Sequence, residues 1–219
     1  MRLALVAVVA LLVLAAPAAA ARRIDRCKMP DRATVEAVGG RLVVFSLRHR
    51  DRDDDFFTHY HVCRRTSGKR SLLKETLEAL DYNTYARHVS VAGNYVGYVY
   101  AAELGQHGSY VETVVYDSVR RRERDAAIAG DFGSGAYLLP QVVPAFVLSR
   151  TGVAAYVVRH PSDVDPSGRP REPVGVRLVE AGDSRLLDKG AAIDPASLRI
   201  DRAGVHWTKA GQPHSAALR

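Results

Sequence analysis

Apolar and polar residues alternate along most of this chain in a pattern that predicts short β-strands joined by tight turns. One hairpin pattern occurs four times: an apolar run, a turn containing glycine, and a second apolar run that ends in an aromatic residue. The four copies are Thr34 to Phe45, His88 to Tyr98, Ala145 to Tyr156, and Ser197 to Trp207. Their turns recur at intervals of about 50 to 60 residues, a period typical of stacked or radial repeat folds.

Each of the first three copies continues with two further runs that are rich in β-branched and aromatic residues and therefore read as strands. These runs are Phe56 to Arg65, Lys69 to Lys74, Ser109 to Asp117, Arg121 to Ala127, Pro173 to Glu180 and Ser184 to Leu187. Four antiparallel strands per repeat describe the blade of a β-propeller. The predicted fold class is all-β: a propeller-like array of three to four antiparallel four-stranded blades, closed or incomplete.

The fourth repeat, Ser197 to Arg219, has room for only about three strands. Its missing strand could come from the stretch between Arg23 and Thr34, which would close a ring. An incomplete fan and closure through a second subunit are the other arrangements that the pattern leaves open. Recurring aromatics at the ends of the second strands, Phe45, Tyr98, Tyr156 and Trp207, are predicted to pack between neighbouring blades.

The N-terminus carries the features of a secretory signal peptide over residues 1–21. Arg2 precedes an unbroken apolar run, Leu3 to Ala16, and Pro17 and four alanines follow it. A retained membrane anchor is the alternative, because Leu3 to Ala21 is long enough to span a bilayer and arginines follow it. We divide the remainder into an N-terminal segment, 22–33, and a single repeat domain, 34–219. The protein is expected to be secreted, extracellular or in the cell envelope.

Two cysteines, Cys27 and Cys63, are present in the whole chain. In an exported protein they are expected to pair, which would tether the N-terminal segment to the first repeat. Two free thiols are the alternative.

The chain is basic, with a formal net charge of +7 that comes mostly from arginine. For an exported protein this favours anionic surfaces over nucleic acid as partners. Arg120, Arg121, Arg122 and Arg124 form the densest basic run, but no aromatic stacking platform or helix-turn-helix pattern accompanies them. We interpret the run as a solvated strand edge protected by charge. The expected partners are an unidentified protein or an envelope glycan, and a membrane only if the leader is retained; no nucleic acid is expected.

The predicted connections differ in length, and this difference indicates where function lies. Turns between first and second strands and between third and fourth strands are short, whereas the other connections are long and polar. Because the strands alternate in direction, all long connections emerge on one face, which we call the loop face. Loops on a rigid scaffold often carry binding groups. The candidate loop-face residues are Asp51, Asp53, Asp55, His107, Asp131, Asp165 and Asp194.

No catalytic motif or cofactor motif is found in the sequence, so a binding or scaffolding module that is not an enzyme is the first functional hypothesis, with no cofactor expected. The acidic loop that begins at Asp51 fails the EF-hand template, because Phe56 and Val62 stand where Gly and Glu are required. A secreted hydrolase or lyase with dispersed carboxylates, such as Asp53, Asp131 and Asp194, is the second hypothesis.

A metal-binding envelope module is the third hypothesis. His59 and His61 lie two apart on one predicted strand and share a face, and His49 lies across the same hairpin. Three imidazoles in this arrangement could hold zinc.

The C-terminal repeat resembles the final repeat of exported bacterial TolB-like (WD-repeat-like) β-propeller proteins. The matching residues are Gly190, Ile193, Asp194, Pro195, Ser197, Leu198, Gly204, Val205, His206, Trp207, Thr208, Gly211, Ser215, Ala216 and Leu218. Cys27, Cys63 and the turn at Gly68 are similar to the first repeat of that group. The resemblance implies a propeller-like fold and export, and it assigns no activity and no catalytic residues.

Overall fold

A computed structural model describes residues 26–52, 54–79, 82–104, 108–132, 143–159, 174–180 and 182–218. Within these ranges the chain forms only strands, turns and irregular segments. The strands are β1 Thr34–Val38, β2 Leu42–Arg50, β3 Phe56–Arg64, β4 Arg70–Glu78, β5 Asn83–Ala92, β6 Tyr95–Glu103, β7 Ser109–Asp117, β8 Arg122–Phe132, β9 Ala145–Leu148, β10 Ala154–Val158, β11 Val174–Glu180, β12 Asp183–Gly190, β13 Ile193–Ile200, β14 Val205–Lys209 and β15 Gln212–Ala216.

Within each sheet, strands that are consecutive in the chain pair with one another, and every described pair is antiparallel. Strands β1 to β8 form one sheet, but β4 and β5 pair only through Glu78 and Asn83. The chain is therefore built from four units: unit 1 (β1–β4), unit 2 (β5–β8), unit 3 (β9–β12) and unit 4 (β13–β15). The predicted all-β class and the four-stranded repeats are confirmed.

The four units stack face to face, because each central strand places alternate apolar side chains on its two sides. In β6, Val96, Tyr98 and Tyr100 pack against unit 1, while Val99 and Ala101 pack against unit 3. The first strands β1, β5, β9 and β13 follow one another, each in contact with the next. No comparable contact joins β13 to β1 in the described residues. The described residues therefore form a propeller-like array in which unit 4 and unit 1 are not joined through their first strands.

Three of the four recurring aromatics occupy equivalent places between the units, as predicted. Tyr98 lies in the cluster between units 1 and 2, Tyr156 in that between units 2 and 3, and Trp207 in that between units 3 and 4. All three are at most 4% exposed. Each aromatic thus packs against the preceding unit.

Phe45 of unit 1 packs against the N-terminal segment and not between two units, so the prediction is wrong for this residue. Cys27 and Cys63 form a disulfide, which confirms the predicted pairing, and both cluster with the buried Phe45 ring. The described part of the segment, residues 26–33, contains no strand. It therefore covers the outer face of unit 1 and does not supply the fourth strand of unit 4. No helix in the described part of the chain has the length and apolar character needed to cross a bilayer.

The indole of Trp207 is anchored by the partly buried carboxylate of Asp188. Its Nε1–H donates to Asp188 Oδ2 at 2.9 Å, and Lys209 Nζ donates to the other carboxylate oxygen at 2.7 Å. Burial of Asp188 opposes its ionisation, but the hydrogen bonds from Lys209 and Trp207 outweigh it and lower the pKa of the carboxyl. Trp207 is therefore a packing residue whose polar edge is satisfied.

Candidate functional site

The short turns of all four units meet at the end of the array opposite the loop face, which we call the turn face. The first-to-second-strand turn of each unit lines one open cavity of about 1060 Å³. The turn residues that line it are Gly39, Gly40, Arg41, Gly93, Asn94, Ser149, Arg150, Thr151, Asp201 and Arg202, and the apolar residues include Val91, Leu148, Ile200 and Leu218. This volume is at the upper end of the range for small-molecule sites.

Glycine allows the turns to approach one another this closely. Gly93 has φ +63°, and a Cβ atom there would lie 3.0 Å from the backbone oxygen of Arg150 in the next unit. Gly152 has φ +81°, and a Cβ atom there would lie 2.6 Å from Arg124 Nη1. Both conformations are costly for residues with a side chain.

We expect Gly93→Ala to lower the free energy of unfolding by about 1 to 2 kcal/mol, because it adds a strained φ and a contact with a neighbouring backbone. Urea unfolding measures the change. Gly40→Ala is the control: a Cβ at Gly40 would meet no atom within 4 Å, so a change within about 0.5 kcal/mol is expected there. Equal effects of the two substitutions would contradict the close approach of the turns.

Side-chain bonds to backbone carbonyls hold the turns in place. Arg65 Nη1 donates to Gly39 O at 3.0 Å within unit 1, and Ser118 Oγ donates to Asn94 O at 2.7 Å within unit 2. Arg124 Nη1 donates to Thr151 O at 2.6 Å and so joins unit 2 to unit 3. Hydrogen bonds therefore hold the turns at the rim of the cavity, and one of these bonds joins two units.

Three arginines from three different units give the cavity a positive charge. Arg41, Arg150 and Arg202 are exposed and lie in the turns of units 1, 3 and 4. In unit 2 a neutral residue, Asn94, lines the cavity, and its Oδ1 lies 3.4 Å from Arg41 Nη1. Within the described ranges neither Arg150 nor Arg202 is paired with a carboxylate.

The carboxylate that lines the cavity, Asp201, is already engaged by its own turn. It accepts hydrogen bonds from His206 Nε2 at 3.1 Å and from the backbone N–H groups of Ala203 and Gly204. The bond from His206, followed by those from the backbone, lowers the pKa of Asp201. Asp201 is therefore ionised at neutral pH and offsets one of the three guanidinium charges, so the cavity keeps a net positive charge.

The loop-face candidates are not brought together at this cavity. Asp51 and Asp55 lie in the β2–β3 hairpin, where Asp51 Oδ1 accepts the N–H of Asp55 at 3.1 Å. Asp194 lies in β13 and accepts the N–H of Ala196 at 3.0 Å, and the backbone of Asp131 belongs to β8. Asp53, His107 and Asp165 lie outside the described residues, so the loop-face prediction stays a prediction.

The three candidate zinc ligands do share a face of unit 1, as predicted. The ring centroids of His49 and His59 are 4.6 Å apart, and His59 Nε2 lies 2.5 Å from Glu75 Oε2. Burial, followed by the charge of His59, lowers the pKa of His61. Among the described residues, however, no group of three or more ligating side chains is arranged to hold a metal ion.

Sequence reasoning missed the cavity arginines, although a signal for two of them exists. The turns of units 3 and 4 read Ser149, Arg150, Thr151, Gly152, Val153 and Asp201, Arg202, Ala203, Gly204, Val205. Arginine thus occupies the second position of both turns, two residues before a glycine with positive φ. Short glycine-containing turns are typical of structural connections, so this pattern does not by itself indicate ligand groups.

No protein-family model matches this sequence, and the comparison with curated proteins finds no match either. Among solved structures, the chain is similar to the β-propeller domain of the Trilobed protease from Pyrococcus furiosus, which is described as having an open velcro topology. The identity is 7%, the TM-score is 0.38, and the match covers 81% of this chain and 64% of that chain. This chain thus spans about 64% of the length of that structure. The propeller-like fold is assigned from the strand order and the packing of the units in this chain.

Proposed function

We propose that this protein is a non-enzymatic binding module that holds an anionic ligand at the turn face. The observation that carries the proposal is the convergence of Arg41, Arg150 and Arg202, from three separate units, on one cavity of about 1060 Å³. Guanidinium groups are suited to this task because they are always charged and bind carboxylate or phosphate oxygens through two parallel N–H groups.

The remaining lining supports binding over catalysis. Its carboxylate, Asp201, is held by His206 and turn amides, which leaves it poorly placed to act as a general base. The apolar side chains of Val91, Leu148 and Ile200 can contact the nonpolar part of a ligand while the arginines fix its charged groups.

An exported location belongs to the same proposal. The Cys27–Cys63 disulfide is of the kind that persists in oxidising compartments. The resemblance of the last repeat to TolB-like exported proteins, together with the leader-like residues 1–21, would place the module in the cell envelope. There it would meet anionic glycans, lipids or protein surfaces.

The direct test replaces all three arginines with glutamine and measures binding of a heparin hexasaccharide, a soluble polyanion, by titration calorimetry. Loss of one charge-assisted contact weakens binding by about tenfold, so the triple variant is expected to bind about a thousandfold more weakly.

The matched control is R48Q/R50Q/R52Q, which removes the same charge from exposed arginines at the loop end of the β2–β3 hairpin. Its affinity is expected to change by less than threefold, because those positions lie at the opposite end of the strands. Maltohexaose, a neutral glycan of the same length, should not bind. Equal losses in the two triple variants would refute a site at the cavity, because net charge alone would then explain binding.

A further inference from the structure

Basic side chains extend from the cavity across the whole turn face. The β7–β8 turn contributes Arg120, Arg121 and Arg122, all exposed, and Lys69 and Arg70 lie at the end of the β3–β4 turn. The basic run that we interpreted as a protected strand edge therefore lies on the same face as the cavity arginines. It begins in a turn and not in a strand, since β8 starts at Arg122.

The carboxylates on this face offset part of that charge. Asp117 and Asp125 are at most 5% exposed. Asp117 Oδ1 accepts the N–H groups of Val119 and Arg120, and Asp125 lies beside Arg124. Glu123 accepts the hydroxyl of Tyr98, while Glu180 and Asp183 flank the β11–β12 turn. With Asp201, these carboxylates are fewer than the cations of the same turns, so the turn face keeps a net positive charge.

Exposed apolar side chains lie next to these cations in the same turns or at the strand ends beside them. Val119, in the β7–β8 turn, is 50% exposed and immediately precedes Arg120. Val38, the last residue of β1, is 58% exposed and immediately precedes the turn that carries Arg41. A soluble polyanion gains nothing from such valines, whereas a lipid surface accommodates both the cations at its headgroups and the apolar groups below them.

The N-terminal segment also leaves the fold at this face. Arg26, the first described residue, donates from Nη1 to Thr66 O in the β3–β4 turn at 2.7 Å. The apolar run ends at Ala21, five residues earlier, and five residues reach at most about 18 Å. If the run is retained in a bilayer, it holds the turn face, and not the loop face, next to the membrane.

We infer that the turn face docks on an anionic lipid bilayer, so that the cavity opens toward the headgroups. This inference rests on the proposed function, and the anionic ligand of the cavity is then an anionic phospholipid. The arginines supply the attraction, which is long in range and sensitive to salt, and Val38 and Val119 supply shallow insertion. The bound orientation leaves the loop face directed away from the membrane.

Co-sedimentation of the full chain with phosphatidylcholine vesicles, with and without phosphatidylglycerol, tests the inference. Every variant keeps the same N-terminus, so any contribution of the leader is common to all samples. Phosphatidylglycerol is expected to enhance wild-type binding, and about 1 M NaCl, where the screening length is about 3 Å, is expected to abolish the enhancement. Each arginine near the surface is expected to raise the affinity for anionic vesicles about fivefold. R120Q/R121Q/R122Q should therefore bind these vesicles about a hundredfold more weakly.

Two further variants separate a bilayer from a soluble polyanion. V38S/V119S should weaken vesicle binding by about tenfold and leave hexasaccharide binding unchanged, because only a bilayer takes up the valines. R48Q/R50Q/R52Q should bind vesicles as wild type does.

Two results would overturn the inference. One is hexasaccharide binding through the cavity without any enhancement by phosphatidylglycerol, which would leave the proposed function intact. The other is equal loss of vesicle binding in the turn-face and loop-face triple variants. Vesicle binding that survives R41Q/R150Q/R202Q but not R120Q/R121Q/R122Q would support docking and refute the cavity as the ligand site.

Discussion

Replacement of Tyr98 with alanine is expected to lower the free energy of unfolding by about 4 kcal/mol, which is a large fraction of the stability of a typical domain. Tyr98 is fully buried between units 1 and 2, where it packs with Leu42 and Val62 of the preceding unit. Its removal leaves a cavity at the interface between two units whose sheets share only the Glu78–Asn83 pair. Urea unfolding followed by circular dichroism measures the loss.

Two controls separate the packing of this ring from other effects. Tyr98→Phe keeps the ring and removes only the hydroxyl, which donates to Glu123 Oε1 at 3.2 Å; a loss of about 1 kcal/mol is expected. Burial raises the pKa of Tyr98, so this hydroxyl is protonated at neutral pH. Tyr82→Ala removes an aromatic that is 39% exposed and should change stability by less than about 0.5 kcal/mol. A loss of under 1 kcal/mol in Tyr98→Ala would mean that the units do not pack through this residue.

The fold was largely predictable because its signals are local and repeated. Alternation of period two identifies the strands, and the glycine turns give the hairpins. The aromatic at the end of each second strand identifies the interface between units, as Tyr98, Tyr156 and Trp207 show. The strand ends were less predictable: β8 continues to Phe132, five residues beyond the predicted end. Its last residues pair with β7, and pairing partners are not visible in a local pattern.

The role of the N-terminal segment depended on a contact between distant parts of the chain. The two cysteines predicted the tether to the first repeat, and the structure confirms the pairing. The sequence could not show that the segment occupies the place of a preceding unit against Phe45, because this requires knowing that unit 4 and unit 1 are not joined through their first strands.

The candidate site was not predictable from loop length. Long polar connections predict a site on the loop face, whereas the cavity is formed by turns of two to five residues. Each turn contributes one to three side chains, and their convergence depends on the rotation between units. No spacing along the chain encodes that rotation. Arg41, Arg150 and Arg202 are separated by 50 residues or more, and only the stacking of the units brings them to one cavity.

Removal of the disulfide by C27A/C63A is expected to cost about 4 kcal/mol. The bond spans a sequence separation of 36, and closing a loop of that size restricts the unfolded chain by about this amount in the chain-entropy model. The substitution also exposes Phe45, which is 1% exposed and packs against Cys27 and Cys63. Urea unfolding measures the loss, and trypsin cleavage after Lys28 or Arg32 should become faster in the native state, because the segment is no longer tethered.

Reduction of the wild-type protein separates loop closure from packing. If the loss comes from loop closure, reduced wild type and C27A/C63A should lose nearly the same free energy, because neither has a cross-link. If the packing of the sulfur atoms against Phe45 dominates, reduced wild type should remain more stable than the double variant. A loss of less than 1 kcal/mol in both would contradict the role assigned to residues 26–33. The outer face of unit 1 would then not need a cover, although each of the other units is covered on that side by the unit before it.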